Sequence, residues 1–378
     1  MGVDSSEKYT LFFLALCTLC LTTTIIIYCH HADHTSKEES LDEIKAQVDV
    51  LRERVTDLLL EVEQGGGRTH NNKLDISDGQ PRIERPAGHV KVDRRKVYAT
   101  LYHNTANDVG YVWGLRVMIH SARLAGCVQP FVVMHLMTFE QVEKSLGHEV
   151  MRELMEANVS FRKIESVDKV FGSGAFAHIA KSRWQVAINK VRVWEMTEFE
   201  KVLFIDLDSV VLKNLDFLFS YPELTVSNDQ AALDKMRTYE VLNPGFMLVQ
   251  PNASTFQSFV RFSKRISAED SVMSTAEQGM LISLYPHPVL LPNTFAMTPA
   301  AAPLLIDREF GWADVFSLHF YDTETEIVPK PWTVAYPLTP SGKGHHWDVP
   351  YALWWQARQR LVSNDRRPLE QNGFTVLA

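Results

Sequence analysis

Short β-rich runs alternate with longer helical patterns through the segment from about 92 to 362. The β-rich runs lie at 96–103, 131–136, 159–164, 201–208 and 245–250. Helical periodicity lies at about 110–125, 139–157 and 182–199. This alternation is typical of a mostly parallel sheet that helices cover on both faces. The sequence therefore predicts an α/β domain over 91–365, followed by a short tail at 366–378.

An uncharged apolar stretch precedes this domain, from Tyr9 to Cys29. Its length is about that of a helix that crosses a bilayer. A cleaved signal peptide is the alternative, but only Lys8 is basic before the apolar part, and no clear small-residue cleavage site follows. We therefore expect a signal anchor at 9–29 after a cytosolic tail at 1–8. The start, MGVDSS, also matches the myristoylation pattern at Gly2.

The next segment, 38–64, carries apolar residues at alternating steps of three and four. They are Leu41, Ile44, Val48, Leu51, Val55, Leu58 and Val62. With charged residues between them, this spacing predicts a coiled-coil stem and a parallel homodimer, while one amphipathic helix on the domain is the alternative. The glycines that follow predict a flexible linker at 65–90. This order predicts a single-pass type II protein of the Golgi or endoplasmic reticulum membrane, with the α/β domain in the lumen.

Asp206 and Asp208 stand one residue apart at the end of the β-rich run 201–208. Side chains two apart in a strand point to the same face, and open α/β sheets bind ligands at the carboxyl ends of strands. Two adjacent carboxylates favour a hard cation such as Mg²⁺ or Mn²⁺, which can hold a diphosphate. As an alternative, one aspartate caps the next turn and the other is solvated.

Two other classes of protein are disfavoured. DLDSV also matches the nucleophile motif of haloacid-dehalogenase-type phosphatases, but strands precede it here and no convincing later acidic pair follows a buried strand. The net charge of -8 argues against nucleic-acid binding, which normally needs a basic face.

Several motifs follow the aspartates in a fixed order. The segment 188–219 around Asp206 and Asp208 is followed by LNPGFMLVQP (242–251), EQGMLI (277–282), HF (319–320) and KPW (330–332). Together they resemble glycosyltransferase family 8, the glycogenin-like retaining transferases, and most of all the plant-type xylan glucuronosyltransferases. The resemblance covers most of 96–356. It implies a GT-A fold, a UDP-sugar donor, Mn²⁺ (with Mg²⁺ possible), and transfer of a hexosyl or glucuronosyl unit to a glycan, glycolipid or protein.

The resemblance also implies roles for single residues. Asp206, Asp208 and His319 are the expected metal ligands, and Lys330 is expected to hold the diphosphate. Lys190, Asn243, Glu277 and Gln278 are the expected catalytic residues. The resemblance places further donor contacts at Tyr111, Arg183, Lys190, Leu207, Asn243, Gly245 and Gln278.

Three departures from the family pattern concern this site. Glu277 stands where the family usually has aspartate, and Pro244 where serine or alanine is usual. The block from His319 to Lys330, HFYDTETEIVPK, lacks the family glycine and carries an acidic insertion. Either this loop is rebuilt, or the roles of His319 and Lys330 are partly wrong. The alternative function is therefore a degenerate glycosyltransferase-like domain on a membrane-anchored dimeric scaffold.

Overall fold

The computed structural model describes residues 92–104, 108–172, 182–230, 242–266, 276–322 and 326–370. The predicted cytosolic tail, membrane span, coiled-coil stem and linker lie outside these residues, so the homodimer that the stem would form stays a prediction. Among the helices in these ranges, none is both long enough and apolar enough to cross a membrane.

A seven-stranded sheet forms the centre of the described domain. Its strands are β1 (Lys96–Tyr102), β2 (Phe131–His135), β3 (Val159–Lys163), β4 (Lys201–Ile205), β6 (Thr225–Asn228), β7 (Leu242–Val249) and β8 (Val289–Leu291). They are ordered β3-β2-β1-β4-β7-β6-β8, and β7 runs antiparallel to both of its neighbours while the other pairs are parallel. The predicted α/β class with a mostly parallel sheet is therefore confirmed.

Alternate side chains of the central strands β2 and β4 enter two different apolar clusters, which explains why these two strands are apolar in all but one residue. In β4, Val202 and Phe204 belong to one cluster, while Leu203 and Ile205 belong to the other. The sheet is therefore buried on both faces, as in other α/β domains. The helices are α1 (Val109–Leu124), α2 (Phe139–Leu146), α3 (His148–Glu156), α4 (Ser182–Ala187), α5 (Ala253–Arg265), α6 (Glu277–Leu284), α7 (Ala302–Leu305) and α8 (His345–Val362).

Two of the predicted helices differ from those observed. The pattern at 139–157 is interrupted at Gly147, whose φ of 80° lies in the left-handed region that favours glycine, so α2 and α3 are separate. The pattern at 182–199 begins as α4 but continues as a 3₁₀-helix over Ile188–Glu195. Lys190 therefore lies in a tighter turn than the sequence predicted.

The predicted strand at 201–208 is also too long, because β4 ends at Ile205. Asp206 and Asp208 lie in the turn between β4 and a short strand, β5 (Ser209–Val211). This strand pairs antiparallel with β9 (Ser317–His319), outside the main sheet. The argument that the two aspartates share one face of a strand is therefore wrong.

The indole ring of Trp332, two residues after Lys330, packs on the first turns of α1. A Cβ added to Gly110 would lie 2.1 Å from Trp332 Cδ1, and one added to Gly114 would lie 2.6 Å from its Cζ3. Glycine at these two positions lets the indole ring lie directly on the helix backbone.

We expect Gly110→Ala to lower the free energy of unfolding by about 1–3 kcal/mol, because the added methyl group must displace the indole ring of Trp332. Urea denaturation measures this change. Gly311→Ala is the matched control, since its φ is -98° and the nearest heavy atom to its Cβ would be 3.8 Å away. Equal stabilities for the two variants would contradict the close packing of Trp332 on α1.

Candidate active site

The pairing of β5 with β9 places His319 beside the two aspartates. Ser209 lies opposite His319 in this ribbon, and the Phe320 backbone NH donates to the Asp208 carbonyl at 3.0 Å. On the other side, the Asp206 NH donates to the Gly245 carbonyl at 2.8 Å. Three separate segments of the chain thus meet at the turn that follows β4.

The side chains of Asp206, Asp208 and His319 converge on one point. His319 Nε2 lies 3.3 Å from Asp208 Oδ1 and 3.5 Å from Asp206 Oδ2, and one ligand atom from each residue lies within 4.8 Å of the others. Adjacent ligands of an octahedral cation at 2.1 Å would be about 3.0 Å apart. Two carboxylates and an imidazole are a suitable ligand set for a divalent cation such as Mn²⁺, whose binding would draw the three ligand atoms closer together.

Gly245 allows the imidazole ring of His319 to approach this point. A Cβ at position 245 would lie 2.2 Å from His319 Cε1 and 2.8 Å from Asp206 Oδ2. Contacts this short exclude any side chain unless His319 moves.

Gly245→Ala is therefore expected to weaken Mn²⁺ binding about 10- to 100-fold, the usual effect of disturbing the residues that orient metal ligands. Electron paramagnetic resonance measures the free Mn²⁺ in a titration of the full chain. Gly311→Ala again serves as the control. Unchanged Mn²⁺ affinity in a folded Gly245→Ala variant would contradict the assignment of His319 as a ligand.

Lys190 lies between two acidic side chains behind the cluster. Its Nζ donates to Asp206 Oδ2 at 2.7 Å and lies 3.3 Å from Glu277 Oε1. Burial alone would lower the pKa of Lys190, but the carboxylates of Asp206 and Glu277 outweigh it and raise that pKa above its ordinary value. Burial also raises the pKa of Glu277, although Lys190 opposes this shift. Lys190 therefore stays charged and compensates the buried acids.

Lys330 contacts the cluster from the solvent side. Its Nζ donates to Asp208 Oδ2 and to the Phe320 carbonyl, and its side chain is 30% exposed. Burial would raise the pKa of Asp208, but Lys330 and His319 together hold it well below its ordinary range. Both His319 and Lys330 therefore contact Asp208, although the block between them lacks the family glycine.

Asn243 and Gln278 lie near each other around the start of β7. The Asn243 Oδ1 accepts from the Gly245 NH at 2.9 Å, while Gln278 Nε2 donates to Asp229 Oδ2 and to the Leu242 carbonyl, both at 2.8 Å. Asp229 has no counterpart among the residues predicted from sequence. Its position directly after β6, at the end of a strand, is the signal that could have identified it.

Tyr321 is a second residue that the sequence prediction missed. Its ring lies 4.7 Å from that of His319, and its hydroxyl accepts from the Gln230 NH at 2.9 Å. Burial, and then the nearby Asp229 carboxylate, raise the pKa of Tyr321 well above its ordinary value. The two-residue spacing from His319 could have placed it on the same side of the chain.

The other predicted donor contacts lie at different depths. Tyr111 is 37% exposed at the start of α1, and its ring lies 5.3 Å from that of Trp332. Leu207 is only 8% exposed and packs in an apolar cluster, so its side chain is part of the core. Arg183 lies in α4, and its side chain is outside the described part of the structure.

Known proteins were compared with this chain by sequence and by structure. It is 30% identical to the putative UDP-glucuronate:xylan alpha-glucuronosyltransferase 3 of Arabidopsis thaliana over 43% of this chain and 23% of that protein. It is 25% identical to glycogenin-1 of Caenorhabditis elegans over 60% of this chain and 49% of that protein. The chain thus spans between about a quarter and a half of the length of these relatives. No family model matches it.

Among solved structures, the galactosyltransferase LgtC in complex with donor and acceptor sugar analogs has a TM-score of 0.44 and 15% sequence identity, over 71% of this chain and 95% of that one. The family is therefore indicated by the names of the sequence relatives. The relatives bear the names of plant xylan glucuronosyltransferases and of glycogenin, the two groups that the motifs from 188 to 332 had indicated. The predicted resemblance is therefore confirmed, and this chain is similar in sequence to the family 8 glycosyltransferases.

Proposed function

We propose that this chain is a retaining glycosyltransferase of GT-A fold that transfers a hexosyl or glucuronosyl unit from a UDP-sugar to an acceptor. The observation that carries this proposal is the convergence of Asp206, Asp208 and His319 next to two lysines. The names of the plant relatives, which print UDP-glucuronate and xylan, support a UDP-linked donor and a glycan acceptor. The proposed membrane anchor, stem dimer and Golgi or endoplasmic reticulum location belong to the same hypothesis.

In this proposal, Asp206, Asp208 and His319 hold the divalent cation. The bound cation would act as a Lewis acid that stabilises the negative charge of the departing diphosphate. Lys330 is partly exposed, so it can contact a diphosphate from the solvent side. Lys190 is 7% exposed and fixed by Asp206 and Glu277, so it supplies positive charge without leaving its place.

Retention at the anomeric carbon would follow either from attack on the same face, guided by the leaving phosphate, or from a short-lived adduct with a side chain. The amide groups of Asn243 and Gln278 are the proposed contacts with the donor sugar. Gln278 is positioned by Asp229, so it would present the same edge in each turnover.

Calorimetric titration of the full chain with UDP tests the donor site. We expect binding in the presence of Mn²⁺ and a loss of at least about tenfold in affinity when EDTA replaces it, because the cation that Asp206, Asp208 and His319 would hold would offset the negative charge of the diphosphate. Asp208→Asn should remove the same metal dependence. Equal affinity with Mn²⁺ and with EDTA, or no UDP binding by the folded chain, would overturn the proposal and favour a degenerate, scaffolding domain.

A further inference from the structure

Four side chains form a stack at the surface between α1 and α8. The Arg358 guanidinium carbon lies 4.2 Å from the ring centroid of Trp113 and 4.5 Å from that of Trp355. The ring of Tyr336 stacks on Trp355, with centroids 5.2 Å apart and an interplanar angle of 29°. Because Trp355 and Arg358 are three residues apart in α8, they lie on the same side of that helix. We name these four residues the Arg358 stack.

Arg358 has no acidic partner within the described ranges, unlike Arg116 and Arg360. Arg116 forms an ion pair with Glu153 at 2.5 Å, and Arg360 forms one with Glu370 at 3.1 Å. The Nε of Arg358 is buried without a hydrogen-bond acceptor. Burial, together with the charge of Arg116, lowers the pKa of Arg358, as expected for a cation that lacks a counter-ion.

A surface cavity of about 210 Å³ lies against this stack. Tyr336, Trp355 and Arg358 line it together with Gln359, Val362 and Ser363. Tyr336 is 50% exposed, so an aromatic ring is available at the surface of the cavity. Exposed aromatic rings suit the apolar face of a pyranose ring, and a guanidinium suits a carboxylate, which it can bind with two parallel hydrogen bonds.

Aromatic contacts link this cavity to the segment that carries Lys330. The ring of Trp355 lies 5.2 Å from that of Trp354, which lies 6.4 Å from Trp332. Trp332 in turn contacts Tyr111, the proposed nucleotide contact, at 5.3 Å. Trp354 is fully buried, so these contacts join the cavity to the Lys330 segment through the core. A chain-like acceptor, which carries units beyond the one that reacts, is the kind of ligand that would occupy a second binding position away from the cation site.

We propose that the cavity at the Arg358 stack binds one carboxylate-bearing sugar unit of the acceptor glycan. The Arg358 guanidinium would bind the carboxylate, and the rings of Tyr336 and Trp355 would contact the sugar ring. This inference rests on the proposed function for the meaning of acceptor, but the binding it predicts requires neither a donor nor a metal.

The test is a titration of the full chain, in EDTA and without UDP, with a galacturonate oligosaccharide and with a galactose oligosaccharide of the same length and linkage. Tryptophan fluorescence reports binding. We expect the galacturonate oligosaccharide to bind at least tenfold more tightly than the neutral one. Equal binding of the two, or no binding of either by the folded chain, would overturn the proposal.

Variants locate the binding within the chain. Arg358→Gln is expected to weaken galacturonate binding at least tenfold, and Arg358→Lys to weaken it less because the positive charge remains. Tyr336→Ala is a second test at an exposed position, should Arg358→Gln fail to fold. Arg366→Gln removes one exposed positive charge outside the stack and should leave binding unchanged; an equal loss in Arg366→Gln and Arg358→Gln would contradict the proposed site.

Two further results separate the possible failures. Inorganic phosphate that displaces the oligosaccharide at equal concentration would show a site for a bare anion, which overturns the sugar contact. Galacturonate binding by a folded chain that does not bind UDP in the presence of Mn²⁺ would refute the proposed function while supporting the inference. UDP-sugar turnover by a chain that binds the two oligosaccharides equally would support the proposed function and refute the inference.

Discussion

Replacing Asp208 by alanine is expected to lower turnover of a UDP-sugar by at least about a thousandfold, equivalent to about 4 kcal/mol of transition-state stabilisation. The side chain of Asp208 supplies a carboxylate oxygen 3.3 Å from His319 Nε2 and accepts from Lys330 Nζ. In the proposed function, its loss removes one ligand of the cation and the hydrogen-bond acceptor that positions Lys330, the proposed diphosphate contact. Release of UDP at saturating Mn²⁺ measures the effect.

Two control variants distinguish a loss of catalysis from a loss of folding. Asp208→Asn keeps the size of the side chain but removes its charge, and should lose turnover to a similar degree. Asp168→Ala removes an exposed carboxylate far along the chain from the cluster, and should keep normal turnover. Normal turnover in a folded Asp208→Ala variant would refute the proposed role of this aspartate.

Lys190→Met is expected to lower the free energy of unfolding by roughly 3–5 kcal/mol, the usual consequence of removing one partner from a buried set of charges. Glu277 is 5% exposed and Asp206 accepts from Lys190, so both acids would lose their compensating charge. Urea denaturation followed by tryptophan fluorescence measures this loss.

The double variant Lys190→Met with Glu277→Gln distinguishes charge compensation from simple packing. Glutamine is neutral and similar in size, so it should recover part of the lost stability. Turnover should not recover, because the positive charge near the diphosphate is still missing. If the double variant is as unstable as the sum of its single changes, Lys190 does not act by compensating Glu277.

The sequence predicted the strands and helices whose apolar residues form a clear run or a clear helical periodicity. Strands β1 to β4 and helix α1 follow long apolar runs or helical periodicity, and their positions agree within a few residues. The paired aspartates could be recognised because open α/β sheets bind ligands at the carboxyl ends of strands, where this pair lies. His319 and Lys330 could be placed only through the family resemblance.

The geometry that brings Asp206, Asp208 and His319 together has no local signal in the sequence. Strands β5 and β9 have three residues each, which is too short for a period to show, and they pair over a separation of about a hundred residues. The position of Asp206, just beyond the end of β4, is fixed by its hydrogen bond to Gly245, which is about forty residues later in the sequence. Asp229 was missed because it belongs to no recognised motif, and Tyr321 was missed because the resemblance assigns roles only to the two ends of the block from His319 to Lys330.

The most direct test of the account is UDP release by the full chain across a panel of UDP-sugars, first with Mn²⁺ and then with EDTA. We predict that one donor is hydrolysed or transferred with Mn²⁺, that EDTA abolishes the reaction, and that Asp208→Ala does not react under either condition. Release of UDP that is equally fast in EDTA, or that Asp208→Ala retains, would contradict the assignment of Asp206, Asp208 and His319 as the metal site of a glycosyltransferase.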